Sequence, residues 1–262
     1  PGVNIILNSF FGPAVNAAKG LAEQVNGAVS RFVSNFQTAV NPQLIKTYAA
    51  NEWDEMKKLL FRSTRFSFYL MYALSLPLIL KMDYVLHLWL KEVPEYTTIF
   101  CQLVLICTLV SVLSNSLPKI AWATGNIRNY QIIISLILFL NFPLSFYVLK
   151  LGFPPYATSV VGIGIQLVLI LVRLILVGRM VNMRMMEFVK NVLVQVINVC
   201  IIAMIVPMLI LRLMGDGFLD FLIVVLVSTI SVSISTYWLG INQTERIYLR
   251  MVVINLKNRI LR

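Results

Sequence analysis

Most of the chain is a succession of apolar runs, each long enough to be read as a helix crossing a membrane. Such a helix needs about 20 largely apolar residues. Runs of that kind lie at 64–82, 96–122, 130–150, 155–178, 191–213 and 218–241. Breaker residues stand where connections are needed, at Pro94, Gly125-Asn126, Gly152 with Pro154-Pro155, and Gly215-Asp216-Gly217. Alternation with a strand period is absent, which argues against a membrane β-barrel. Pro1 to Phe11 reads as the end of a helix already under way, closed by Gly12-Pro13. The first residue is proline, so the chain is expected to be the later part of a longer protein, and a signal peptide cannot be sought in it.

Between Pro13 and Pro42 the pattern changes. The stretch AVNAAKGLAEQVNGAVSRFVSNFQTAVNP contains no turn signal and predicts one helix over 14–42, yet it carries Lys19, Glu23, Arg31, four asparagines and two glutamines. Asn16, Lys19, Glu23, Asn26, Ser30, Ser34, Gln37 and Asn41 recur at steps of three or four and share a face, with Gln24, Arg31, Asn35 and Thr38 alongside. Counting this helix, the pattern predicts seven whole spans and one partial span. A charge facing the middle of the bilayer costs on the order of 3 kcal/mol or more, so the polar half of the helix must face polar helices or water.

Two arrangements satisfy that requirement. In one, interhelical hydrogen bonds and a Lys19–Glu23 pair at i, i+4 absorb the polarity. In the other, the face lines a water-filled cationic cavity. With Glu23 taken by Lys19, Arg31 is left without an acid in its helix, and Arg173, in LVLILVRLILVG, is similarly alone. An intramembrane arginine without a partner is a functional-site candidate, which favours the cavity and an anionic passenger. Asn4 and Asn8, one turn apart, are candidates for the same lining, while Ala14, Ala17, Ala18, Gly20, Ala22, Gly27 and Ala28 allow close helix approach.

Composition and charge sharpen this picture. A chain of 262 residues that is 59% hydrophobic and 13% charged, with mean hydropathy +0.83, falls in the range of polytopic helical membrane proteins. The net charge of +11 does not require nucleic acid, because basic loops are ordinary in membrane proteins. If the spans alternate in direction, fifteen Lys and Arg fall on one set of loops and four on the other, with Lys19, Arg31 and Arg173 inside spans. The rule that cations stay inside then makes 43–63 and the C-terminal tail cytoplasmic, and turns 83–95, 150–155 and 214–217 outward. The tail 243–261 is basic and amphipathic, with Ile247, Met251, Ile254 and Leu261 able to share a face, and predicts a helix lying on the membrane surface.

Other chemistry is sparse. Cys101, Cys107 and Cys200 sit inside apolar runs without metal spacing. No metal, cofactor or catalytic constellation is expected. His87 lies in YVLHLWLK, where Tyr84 and Trp89 suggest an interfacial helix. Glu52, Asp54 and Glu55 beside Lys57 and Lys58 read as a solvated helix start. Asp83, Glu92 and Glu95 on an outward loop keep a membrane glycosyltransferase or ligase as an alternative. GIG at 162–164 has no preceding strand and reads as packing, and NQT at 242–244 falls on the cytoplasmic side, away from glycosylation.

The stretch NIILNSFFGPAVNAAKGLAEQVNGAVSRFVSNFQTAVNPQLIKTYA, followed by RSTRFSFYLMYALSLPLIL and LWLKEVPEY, resembles the second half of a Wzx-type polysaccharide (O-antigen) flippase. These belong to the multidrug/oligosaccharidyl-lipid/polysaccharide exporter superfamily. ATGNIRNYQ at 123–131 and KLGFPP at 150–155 fit the same kind of protein. The resemblance implies an all-α polytopic membrane protein, MATE-like, with two six-helix lobes around a central cavity and two extra C-terminal helices. On that scheme 1–182 form the second lobe and 183–262 the added helix pair with its tail, while the first lobe lies in a missing N-terminal part. The implied passenger is an undecaprenyl-diphosphate-linked oligosaccharide crossing the bacterial inner membrane. A cationic lumen formed by Lys19, Arg31 and Arg173 suits its diphosphate. The alternative within the superfamily is a drug or cation antiporter, for which Glu23 is the intramembrane acid.

Overall fold

The computed structural model describes residues 2–125, 127–215, 217–243 and 245–246. Among them the chain is helical, without strands, and has the architecture of an all-α polytopic membrane protein. A short helix α1 (Gly2–Phe11) leads into α2 (Pro13–Ala49), and α3 (Trp53–Leu80) precedes the short α4 (Met82–Trp89). Then come α5 (Thr97–Val112), α6 (Leu117–Ala123), α7 (Arg128–Phe139), α8 (Asn141–Lys150) and α9 (Ala157–Met180). A final pair follows: α10 (Met185–Phe188) continues through a π-helical turn into α11 (Val194–Leu211), and α12 (Phe218–Ser235) ends in another π-helical turn at 236–240.

Five stretches are long and apolar enough to cross a membrane, at Thr97–Ala123, Arg128–Lys150, Ala157–Met180, Met185–Leu211 and Phe218–Gly240. The pair α3 and α4, bent by 78° at Lys81, gives a sixth if counted as one span. The expected seventh, α2, is long enough: its 37 residues rise about 55 Å. It falls short on apolarity, because its polar side chains lower the hydropathy of every window. The bend at Lys81 makes α4 a separate element carrying Tyr84, His87 and Trp89.

Local chemistry explains most boundaries. Gly12 adopts φ +80°, open to glycine at little cost, and Pro13 starts α2 where its missing N–H is not needed. The expected end of α2 at Pro42 is passed. The proline removes one backbone bond, but Leu44 beyond it is 1% exposed and anchors the last turns in the core. Helix α3 begins eleven residues before the apolar run at 64, because Asp54 and Glu55 in its first turn complement the helix dipole. The runs at 96–122 and 130–150 are each broken, around 113–116 and at Leu140, shortly before Pro118 and Pro143.

Helix α3 is the axis of the molecule. Half of its 28 residues are buried, and it packs against α2, α5, α11 and α12. One hydrophobic core therefore runs through both the helices α1 to α9 and the C-terminal helix pair. Along α3, Phe61 meets Phe188 edge-on at 5.9 Å, Tyr69 donates to the Gly240 carbonyl at 3.2 Å, and Tyr72 donates to the Cys200 carbonyl at 3.0 Å. Gly240 is required there, since a Cβ would come within 2.7 Å of the Tyr69 ring. Arg65 of α3, placed by its sequence among the loop cations, is 2% exposed. It donates through Nη1 to the Asn191 carbonyl at 2.7 Å and through Nη2 to Glu245 at 2.5 Å. It thus fastens both ends of the helix pair to α3.

Contacts between loops sort into two ends of the bundle. Lys57 donates to the Asn182 carbonyl at 3.2 Å, and Arg65 reaches Asn191 and Glu245, all in the basic set of loops. At the other end Lys81 donates to the Gly215 carbonyl at 2.7 Å, Tyr84 packs on Phe221 at 5.5 Å, and Tyr96 on Tyr156 at 6.2 Å. The loops gathered at each end are those the charge count puts on one side of the membrane. Of the tail, Gln243, Glu245 and Arg246 are helical, with the Arg246 guanidinium 5.1 Å from the Tyr237 ring; the surface helix expected to 261 otherwise lies outside the described residues.

Two outcomes follow. Single cysteines at Lys57 and Lys150 are labelled by a membrane-impermeant maleimide from opposite sides of the membrane; labelling from the same side contradicts this topology. Arg65→Ala leaves the half-buried Glu245 carboxylate without its counter-charge and lowers stability by about 3 kcal/mol, whereas Arg65→Met with Glu245→Met recovers most of the loss, as read by unfolding in detergent.

Candidate functional site

The two sides of α2 meet different surroundings. Ala18, Ala22, Val29 and Val33 fall on one stripe, are buried, and face the helices α2 packs against, principally α3 and α5. Small residues at 18 and 22 let those neighbours come close. The opposite stripe carries Glu23, Gln24, Arg31, Ser34, Asn35 and Thr38, all exposed. That part of the polar half therefore turns away from the rest of the described chain, whereas Asn16, Lys19, Asn26, Ser30, Gln37 and Asn41, also expected on the wet face, are half-buried at its margin. Ser34 and Thr38 return their hydroxyls to the carbonyls of Arg31 and Ser34 in their own helix, at 2.9 and 2.8 Å.

Lys19 and Glu23 do not form an ion pair; Lys19 is half-buried, and the groups acting on it electrostatically are Glu23 and the Cys107 thiol of α5. Arg31, twelve residues or about 18 Å further along, is exposed and makes no ion pair among the described residues. Asn26 is half-buried and accepts from the Ser30 hydroxyl at 3.3 Å. Asn16 Oδ1 and Gln37 Nε2 are buried with no hydrogen-bond partner among the described residues, at the margin between the packed and open stripes. Asn35 is fully on the open side. Asn8 is exposed and Asn4 half-buried on α1, which packs on α8.

Arg173 has a different setting. It is half-buried on α9 and donates through Nη1 to the Ser114 hydroxyl at 2.9 Å, in the break between α5 and α6. Tyr130 of α7 lies beside it. Arg173 thus braces α7, α9 and the α5–α6 break, and its Nε is buried without a partner among the described residues. Of the GIG sequence, Gly162 faces α5, where a Cβ would meet the Cys107 sulfur at 3.8 Å, while Gly164 is exposed with open space beside it. Among the described residues no cluster of His, Cys, Asp and Glu is arranged to hold a metal ion.

Sequence reasoning missed a cavity of about 510 Å³ at the basic end, between α2, α3, the π-helical turn before α11 and residues 242–245. Arg62 and Arg65 line it, as do Asn191, Asn242 and Glu245. On its rim Lys58 meets Glu55 at 2.8 Å, and this hydrogen bond raises the lysine pKa. The available signal was Lys58, Arg62 and Arg65 at steps of four and three on one helix face. Comparisons with protein-family models, curated proteins and solved structures give no match.

The two stripes of α2 predict opposite responses to substitution. Ala22→Leu overfills a closed interface and costs about 1–3 kcal/mol. Asn35→Ala, on the open side, changes stability by no more than about 0.5 kcal/mol. Equal losses in a detergent unfolding assay would contradict this assignment of faces.

Proposed function

We propose that this chain is the second lobe, with two added C-terminal helices, of a MATE-like transporter that moves an undecaprenyl-diphosphate-linked oligosaccharide across the bacterial inner membrane. The open polar stripe of α2 carries the reading. A helix of this length, packed on one side and wet on the other, needs an aqueous cavity opposite it, and a first lobe of the same protein would close that cavity. Arg31 stands on the stripe without a counter-charge among the described residues, so it is available to a diphosphate. Lys19, half-buried nearer the start of α2, is the second cation along the path. Alternating access between the lobes would carry the passenger from the cytoplasmic to the outer leaflet. The excess of Lys and Arg on one set of loops supports a cytoplasmic C-terminus.

One observation favours a second reading. Glu23 is exposed on the same stripe and forms no ion pair among the described residues, which is the placement a coupling or substrate cation requires in a drug or cation antiporter. Charge substitutions in the full-length protein separate the two. With expression and membrane insertion matched, Arg31→Lys retains much of the transport, and Arg31→Ala or Arg31→Glu loses it, read as surface polysaccharide. Full surface polysaccharide from the Arg31→Glu protein overturns the cationic path. Loss with Glu23→Gln of proton- or sodium-driven efflux of an organic cation supports the antiporter.

A further inference from the structure

A second, smaller cavity of about 220 Å³ adjoins the one at the basic end of the bundle. Its walls are mainly apolar, formed by Phe36 and Val40 of α2 and by Leu59 and Phe66 of α3. The two cavities share Leu59, Arg62 and Glu245, so they make one cleft with a polar chamber and an apolar slot. The polar chamber has an uneven charge balance. Glu55 is committed to Lys58 at 2.8 Å. Glu245 is committed twice, to Arg65 and to the Asn242 backbone N–H at 2.8 Å. Arg62 makes no ion pair among the described residues and sits where chamber and slot meet. Arg65 also lines the chamber, but it is 2% exposed and its two Nη groups are held by the Asn191 carbonyl and Glu245.

A free anion would satisfy Arg62 and leave the slot empty, while a plain hydrocarbon chain would fill the slot and leave the Arg62 guanidinium unmet. A molecule that answers both carries a phosphate on one end and an acyl chain on the other. We infer that this cleft binds an anionic glycerophospholipid of the surrounding bilayer, with its phosphate at Arg62 and one acyl chain along Phe36, Val40, Leu59 and Phe66. Basic pockets between helices at the headgroup level bind anionic lipids in this way. The bound lipid joins the last turns of α2 to α3 and to the end of the helix pair at Glu245. The inference rests on the cleft alone and not on the transport reading.

Native mass spectrometry of the intact, delipidated protein in detergent tests it with phosphatidylglycerol, phosphatidylethanolamine, glycerol phosphate and a polyprenyl diphosphate. Phosphatidylglycerol binds about tenfold more tightly than phosphatidylethanolamine, and Arg62→Glu removes that preference. Arg62→Gln reduces it less, and Lys150→Glu at the opposite end leaves it unchanged. Arg62 is exposed, so these variants keep the fold, which an unaltered melting temperature checks. Equal binding of the two phospholipids, or a preference that survives Arg62→Glu, overturns the inference. So does glycerol phosphate displacing the lipid, which would make the chamber a soluble-anion site, or tighter binding of the polyprenyl diphosphate, which would make the cleft a loading site for a carrier lipid.

Discussion

Hydrocarbon offers a polar side chain nothing to bond with, and this constraint explains where the chain departs from a plain apolar bundle. Along α5, α7, α9, α11 and α12 it is met simply, by side chains that are apolar on the outside and closely packed within. Along α2 it is met by separating two faces. Ala18, Ala22, Val29 and Val33 pack on the neighbouring helices, and Glu23, Gln24, Arg31, Ser34, Asn35 and Thr38 are left turned away from them. Both faces belong to one continuous helix, so fixing one in the core fixes where the other points.

The buried cations obey the same constraint in another way. Arg65 is desolvated on α3 but reaches a carbonyl near the start of the C-terminal pair and a carboxylate just past its end. Removing either partner would leave a charge without compensation, so this contact makes the helix pair part of the same core and not an appendage. Arg173 is treated more lightly, with one hydroxyl from a helix break and a tyrosine beside it. Of the three cations assigned to the passenger's path from the sequence, Arg31 is the one on the open stripe without an ion-pair partner among the described residues. Lys19 is at its margin, and Arg173 braces helices around the α5–α6 break.

Periodicity made the amphipathic character of α2 legible, because a polar face repeating every three or four residues survives whatever packs on the other side. Apolar length likewise located the later spans. Partners distant in sequence were not legible. Arg65 reads as a loop cation because Glu245 stands 180 residues away, and Arg173 reads as unpaired because Ser114 is 59 residues away. The continuation of α2 through Pro42 and the 78° bend at Lys81 were also hidden. Both depend on tertiary anchoring, Leu44 in the core in one case and Lys81 tied to the Gly215 carbonyl in the other. The cleft beside Arg62 escaped for the same reason, since its walls come from four separate segments.

The central claim is that the open stripe of α2 meets water while α2 lies at the depth of the bilayer. Spin labels placed singly at Gln24, Arg31 and Asn35 in the full-length protein, reconstituted in lipid, measure this through collision with a water-soluble nickel chelate and with membrane-soluble oxygen. The account predicts nickel accessibility well above oxygen accessibility at all three positions, and the reverse at Leu136 and Phe139 on the outward side of α7. Oxygen exceeding nickel at Gln24 and Asn35 would mean that the stripe faces lipid, and would contradict the account.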